Sequence, residues 1–272
     1  MIETSIVVSL PDVANQEDRR QVPIPRVGVR GVQIPLQIAT QKSGSFHTVA
    51  SVDFAVSLQH HKKGTHMSRL MQILDEAVQY PLTLDELQRV LDRARNVLDA
   101  DRAEITMRFK YFLRKRAPIT GATGWLDADV EWAVTLDNGS VTRLLRVNMP
   151  VKSLCPCSKQ IALYGAHNQR AYIRVELELL PSTRDLDMEE LCTLLEEQGS
   201  SPLYPVLKRP DEKYVTETAY DNAKFVEDIL RDSVLALRQL PGIRRFKVEC
   251  ESVESIHNHN AFAATEEWLS PL

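Results

Sequence analysis

The chain has 272 residues, 43% of them hydrophobic, which is enough to fill a substantial core without a disulfide scaffold. Charged residues make up 26% and nearly cancel to a net −4, so no global attraction to nucleic acid or to an anionic membrane is expected. No apolar run approaches the roughly 18 to 20 residues of a membrane span, and the N-terminus lacks a basic segment followed by an apolar one, so a cytoplasmic protein is expected.

Residues 1–44 are rich in Pro, Gly, Gln and charge and show no sustained period, which reads as an extended N-terminal arm. From Phe46 to Leu58 apolar residues alternate with His47, Ser51, Asp53 and Ser57, the period of a half-buried strand. Met67, Leu70, Met71, Leu74, Ala77 and Val78 then recur at helical spacing until Pro81 ends the pattern. Thr83 and Glu86 form a capping-box signature for a second helix with Leu87, Val90, Leu91, Ala94 and Leu98 on one face. Ile105, Met107, Phe109 and Tyr111 mark a strand, and another from about Trp125 to Leu136 meets Asn138-Gly139, a strong hairpin signal, with its partner over Val141–Val151.

Further strands are predicted near 170–179, 244–253 and 259–268, with helices near 187–197 and 223–239. Two strands, two helices and two strands thus recur, which divides the chain into the arm, a first module over 45–137 and a second over 138–272. The fold class is α+β: antiparallel sheets with helices on one face, leaving a second surface, with leftover apolar area, for subunit or lumen contact.

Four cysteines occur, and Cys155 and Cys157 are separated by one proline, a poor geometry for a mutual disulfide. The connection VKSLCPCSKQIALYGAHNQR returns His167 twelve positions after Cys155, a thiolate and imidazole set suited to zinc, iron or manganese-like ions. Taken alone, a C-x-C reads equally well as two small buried residues with His167 capping a turn. ESVESIHNHN places Glu254 and His257 three apart as an acid/base pair if the strand ends in a turn. KRPDEKYVTE, from Lys208 to Glu217, reads as a polar loop able to complete a metal site, and Glu227 as an N-terminal helix residue that the macrodipole alone explains. HHKKGTHMSR joins a strand to a helix and concentrates Lys63, His66 and Arg69 where phosphate can bind.

The segments LPDVANQ, GVRGVQIPL, KGTHMSR, SLCPCSKQI, YGAHNQR, YPVLKRPDEKYVTE, YDNAKFVEDILRD and ESIHNHNAFA together resemble type B GTP cyclohydrolase I over nearly the whole chain. The resemblance implies two tandem tunnelling-fold modules whose sheets close into a barrel with other copies, as a homotetramer. It implies a hydrolase that opens GTP at C8, releasing formate and 7,8-dihydroneopterin triphosphate, at the start of pterin and folate synthesis. It also implies a divalent ion, manganese or zinc or iron, held by Cys155, His167 and Glu212, with Glu217 in the same loop as the alternative to Glu212. Glu227 would hold the guanine edge, His257 would move protons, and Glu254 would set the His257 tautomer or orientation. For the triphosphate the candidates are Lys63, His66, Arg69, Ser158, Lys159 and Arg170. A nitrile reductase of the same fold, with a Cys in a similar loop as covalent nucleophile and NADPH as reductant, is the competing enzyme class; a binding protein whose Cys/His site is structural is the competing non-enzyme one.

Overall fold

A computed structural model describes residues 11–40, 44–181, 183 and 186–269. The parts of the expected arm and second module at 1–10, 41–43, 182, 184–185 and 270–272 lie outside the described residues.

Eight strands form one antiparallel sheet in chain order, β1 (Ile24–Thr40), β2 (Gly44–Leu58), β3 (Arg102–Arg116), β4 (Thr123–Asp137), β5 (Ser140–Leu154), β6 (Asn168–Leu179), β7 (Ile243–Ser252) and β8 (Ala261–Trp268). Helices α1 (Met67–Ala77) and α2 (Leu84–Leu98) lie between β2 and β3. The short α3 (Pro156–Ile161) lies between β5 and β6, and α4 (Met188–Glu196), α5 (Arg209–Asp221) and α6 (Val226–Leu237) lie between β6 and β7.

Alternation along the strands sorts the side chains, so that Phe54, Ile105, Met107, Val134, Met149, Ile173 and Phe246 are all buried on one face of the sheet. They join one core with Leu70 and Leu74 of α1, Leu87 and Leu91 of α2, Leu195 of α4 and Ile229 and Leu237 of α6. The α2 start is the capping box read from Thr83 and Glu86, with both reciprocal bonds present. Asn138 and Gly139 both take positive φ, 47° and 83°, which is the backbone that a two-residue hairpin between right-twisted strands requires.

Two expectations are corrected. The segment read as an arm contains β1, which pairs with β2 over most of its length. Its period is hidden by Pro25 and Pro35 and by two register shifts, and Gly28 lies where an added Cβ would sit 2.0 Å from the Phe54 carbonyl oxygen. The helix-free face also is not apolar. Opposed residues pair their charges across it, from Arg108–Glu131 (2.6 Å) through Arg146 to Glu176 (2.6 Å), and Glu176 reaches diagonally to Arg245 (2.8 Å). Partly exposed pairs of this kind contribute about 0–1 kcal/mol each, so their effect is to define the face more than to hold it.

The meander also sorts the loops. The β3–β4 turn, the β5–β6 connection and the β7–β8 connection lie at one end of the sheet, called here the site end. The β2–α1 connection and the Asn138-Gly139 turn lie at the other.

Candidate functional site

The β5–β6 connection is knitted by its own polar groups. Pro156 opens α3 just after Cys155, and the Cys155 Sγ accepts the Ser158 N–H at 3.4 Å. The Cys155 N–H donates to the His167 carbonyl at 3.1 Å, which sets the two residues side by side. Between them the Ser158 hydroxyl donates to the Cys155 carbonyl (3.1 Å) and accepts from the His167 N–H (3.2 Å). Ser158, expected as a phosphate ligand, therefore spends its hydroxyl on closing the loop.

The His167 Nδ1 lies 3.0 Å from Gln169 Oε1 and 3.5 Å from the Ser255 hydroxyl. The Gln169 amide nitrogen donates to Ser252 Oγ (3.1 Å) and faces Glu254 Oε1 (3.5 Å). Glu254 Oε2 is buried with no hydrogen-bond partner among the described residues. Glu254 is thus turned toward Gln169, and no hydrogen bond joins it to His257 among the described residues. His257 is exposed and stacks on His259, with ring centroids 5.1 Å apart.

Glu227 reaches the same end because α6 is moored there. The Lys224 N–H donates to the Leu154 carbonyl at 3.1 Å, and the Ser153 hydroxyl donates to the Lys224 carbonyl at 3.2 Å. Asp228 takes the capping role, accepting from the Phe225 N–H at 3.0 Å, so the exposed Glu227 carboxylate is left without a side-chain partner among the described residues.

The expected polar loop from Lys208 is helix α5, with Pro210 in its first turn. Here too one of two adjacent acids is structural. Asp211 is buried and accepts from the Ile119 and Thr120 N–H groups (2.9 Å each), the Thr120 hydroxyl (2.6 Å) and the Lys208 N–H (2.9 Å). Glu212 beside it is exposed, and Glu217 is paired with Lys213. It is the other end of α5 that meets α3, where Lys159 Nζ donates to the Tyr220 carbonyl and lies 4.4 Å from the Tyr220 ring centroid. Glu212 precedes Tyr220 by eight positions, about 12 Å along a helix. Among the described residues no three His, Cys, Asp or Glu side chains converge to hold a metal. Cys155 and His167 are brought together, and Glu212 is not brought to them.

Lys63, His66 and Arg69 stand at the opposite end of the sheet from Cys155. A strand of the length of β3, 15 residues, spans about 50 Å, which excludes one ligand touching both clusters within a chain. They are also engaged locally: His66 Nε2 with both Asp12 oxygens at 3.0 Å, Lys63 with Gln16 Oε1 at 2.9 Å, and Arg69 with the Val97 carbonyl at 3.4 Å. Arg170, on β6, has no acidic partner among the described residues and stays at the site end. A cavity of about 910 Å³ lies on the charged face, lined by Arg108, Glu131, Arg146 and Glu176 among others, and touches none of the expected ligands.

Sequence reasoning passed over Gln169 and Asp211. Gln169 was findable as the residue two after His167 at a strand start, hence on its face, and Asp211 as an acid following a first-turn proline.

The comparisons agree with one another. The family described as type I GTP cyclohydrolase folE2 matches residues 10–263. The GTP cyclohydrolase FolE2 of Bordetella petrii is 44% identical over 257 residues, covering 94% of this chain and 96% of that protein. That of Thiobacillus denitrificans is 43% identical over 260 residues, covering 95% of each. Among solved structures, uricase from Arthrobacter globiformis superposes with a TM-score of 0.57 over 90% of this chain and 93% of its own, at 7% identity, a likeness of fold alone. With a family match over residues 10–263 and identities of 43–44% along nearly the whole length, this chain belongs to the type I GTP cyclohydrolase folE2 family.

Proposed function

We propose that this protein hydrolyses GTP at C8, releasing formate and forming 7,8-dihydroneopterin triphosphate, the entry to pterin and folate synthesis. The observation that carries the reading is the pairing of Cys155 with His167, one offering a thiol sulfur and the other an imidazole nitrogen, at the end of the sheet where the start of α6, which carries Glu227, is tied to Leu154.

The donor set fits a divalent ion. Cys155 presents its sulfur at the start of α3, where it accepts the Ser158 N–H, and His167 is held by its Nδ1 so that Nε2 is free to bind. Cys155 and His167 would hold manganese, zinc or iron, with Glu212 proposed as the third donor. Because α5 holds Glu212 apart within one chain, closing the site takes a movement of α5 or a second copy. When bound, such an ion supplies a Lewis acid that lowers the pKa of water and provides hydroxide at neutral pH.

The remaining work falls to side chains. Glu227 accepts the two N–H groups of the guanine edge and thereby orients C8. His257, exposed and without a carboxylate partner among the described residues, takes and returns protons at N7 and N9 as the imidazole ring opens. Arg170 faces the triphosphate, with Lys159 contributing charge from α3.

The proposed assembly is a cytoplasmic homotetramer of chains that each carry two tandem tunnelling-fold modules. It is supported by the recurrence of two strands, helices and two strands, and by β1 and β8 standing at the two edges of the sheet. No helix among the described residues is long and apolar enough to cross a membrane. The test is incubation of metal-loaded protein with GTP: formate and a fluorescent pterin are expected in equal amounts, chelation should abolish both, and undiminished turnover in metal-free protein would refute the reading.

A further inference from the structure

We propose that Gln169 is a positioning residue that fixes His167 as its Nδ1–H tautomer and couples it to Glu254. The inference rests on the reading that His167 binds the ion through Nε2.

The amide's orientation is decided by what surrounds it. Its NH2 group faces two acceptors, Ser252 Oγ at 3.1 Å and Glu254 Oε1 at 3.5 Å. The carbonyl Oε1 must then point the other way, toward His167 Nδ1 at 3.0 Å and the Ser255 hydroxyl at 3.5 Å. Reversing the amide would bring its oxygen against a carboxylate and its NH2 against the ring, so the carboxylate of Glu254 selects the orientation. An acceptor facing Nδ1 makes that nitrogen the protonated one, and the lone pair falls on Nε2, the nitrogen needed for a metal bond.

Strand pairing alone does not require this bridge. Ala171 and Ser252 are already register partners, and the Val253 N–H donates to the Arg170 carbonyl at 2.8 Å, so β6 and β7 are joined at this level by backbone. What the side chain adds is a line of contact from a half-buried carboxylate through an amide to an imidazole. Glu254 spends one oxygen on that line, and its buried Oε2 keeps its acceptor capacity for a ligand.

The experiment compares Gln169→Met, which keeps the length and loses the acceptor, with Gln169→Glu combined with Glu254→Gln, which keeps the acceptor and returns a donor to the facing side chain. Long-range proton–nitrogen NMR of the metal-free proteins reads the His167 tautomer, zinc affinity is read by competition with a chromophoric chelator, and circular dichroism monitors the fold. Wild type and the Gln169→Glu, Glu254→Gln double variant should show the Nδ1–H pattern. Gln169→Met should lose it, and its zinc affinity should fall about ten- to a hundredfold, the usual effect of removing a group that orients a ligand. A Gln169→Met protein that keeps both the tautomer and an affinity within about twofold of wild type would overturn the proposal, as would an Nε2–H tautomer in the wild type, a result that stands even if the variant fails to fold. Cys155→Ser measured alongside separates the two ideas: if it leaves zinc binding unchanged the metal reading fails, while the tautomer still judges Gln169.

Discussion

The buried carboxylate of Asp211 accepts the Thr120 hydroxyl at 2.6 Å and the Thr120 N–H at 2.9 Å, tying the first turn of α5 to the β3–β4 turn. These bonds, with those from Ile119 and Lys208, hold its carboxyl well below the usual carboxylate range against the opposing pull of burial. Asp211→Ala leaves those donors without their acceptor. Amide exchange at Ile119 and Thr120 should speed up by about tenfold or more, and the thermal midpoint should fall. Unchanged exchange at both amides would show that the latch does not hold the turn.

Lys115 and Glu196 form an ion pair between β3 and α4 with Glu196 only 4% exposed. Glu196→Ala strands the ammonium and should cost about 3–5 kcal/mol, whereas Lys115→Met combined with Glu196→Leu should recover most of it. Burial, the largest influence on Glu196, pushes its carboxyl up despite Lys115. A raised folded pKa gives stability that is complete below the unfolded value of about 4.3 and is lost as pH rises through the folded value. Denaturant titrations should show this decline above pH about 4.3 in wild type and its absence in Glu196→Gln. A double variant as weak as the single one would contradict the account.

The four cysteines should separate into two pairs by reactivity. Burial pushes the thiols of Cys192 and Cys250 up to about 12, and both are fully enclosed, whereas Cys157 is exposed and Cys155 half-buried. Alkylation of the native protein at mildly alkaline pH should modify Cys155 and Cys157 alone, and bound zinc should protect Cys155. Peptide mapping that finds Cys192 or Cys250 modified as fast as Cys157 would sink the prediction.

The two free acids at the helix starts should fail in different ways. Glu227→Gln should bind metal normally and lose about ten- to a hundredfold in GTP affinity, because an amide offers one acceptor and an unwanted donor to two N–H groups. Glu212→Gln should instead lose metal affinity, with excess manganese restoring part of the turnover. Metal content and GTP binding measured in parallel decide it, and the reverse pattern would exchange the two roles.

Much of this was legible in the residues. Alternation from Phe46 to Leu58 and from Ile105 to Tyr111, the Thr83 capping box and the Asn138-Gly139 turn are local signals, and each produced the element it announced. The α5 helix was not legible because it buries only Asp211 and Ala219, too little for an apolar stripe. β1 was hidden by its prolines and register shifts, which break the period that marks a strand.

By itself the sequence determined the family and the meeting of Cys155 with His167, since a short connection between neighbouring antiparallel strands returns to where it began. Only the tertiary structure decided which other residues share that place. It set Lys63, His66 and Arg69 at the far end of the sheet, put Glu212 at the distant end of α5, and turned Glu254 toward Gln169. The reason is geometric: a strand of about 15 residues carries the next loop about 50 Å away, and nothing in the spacing of motifs along a chain says at which end they will lie.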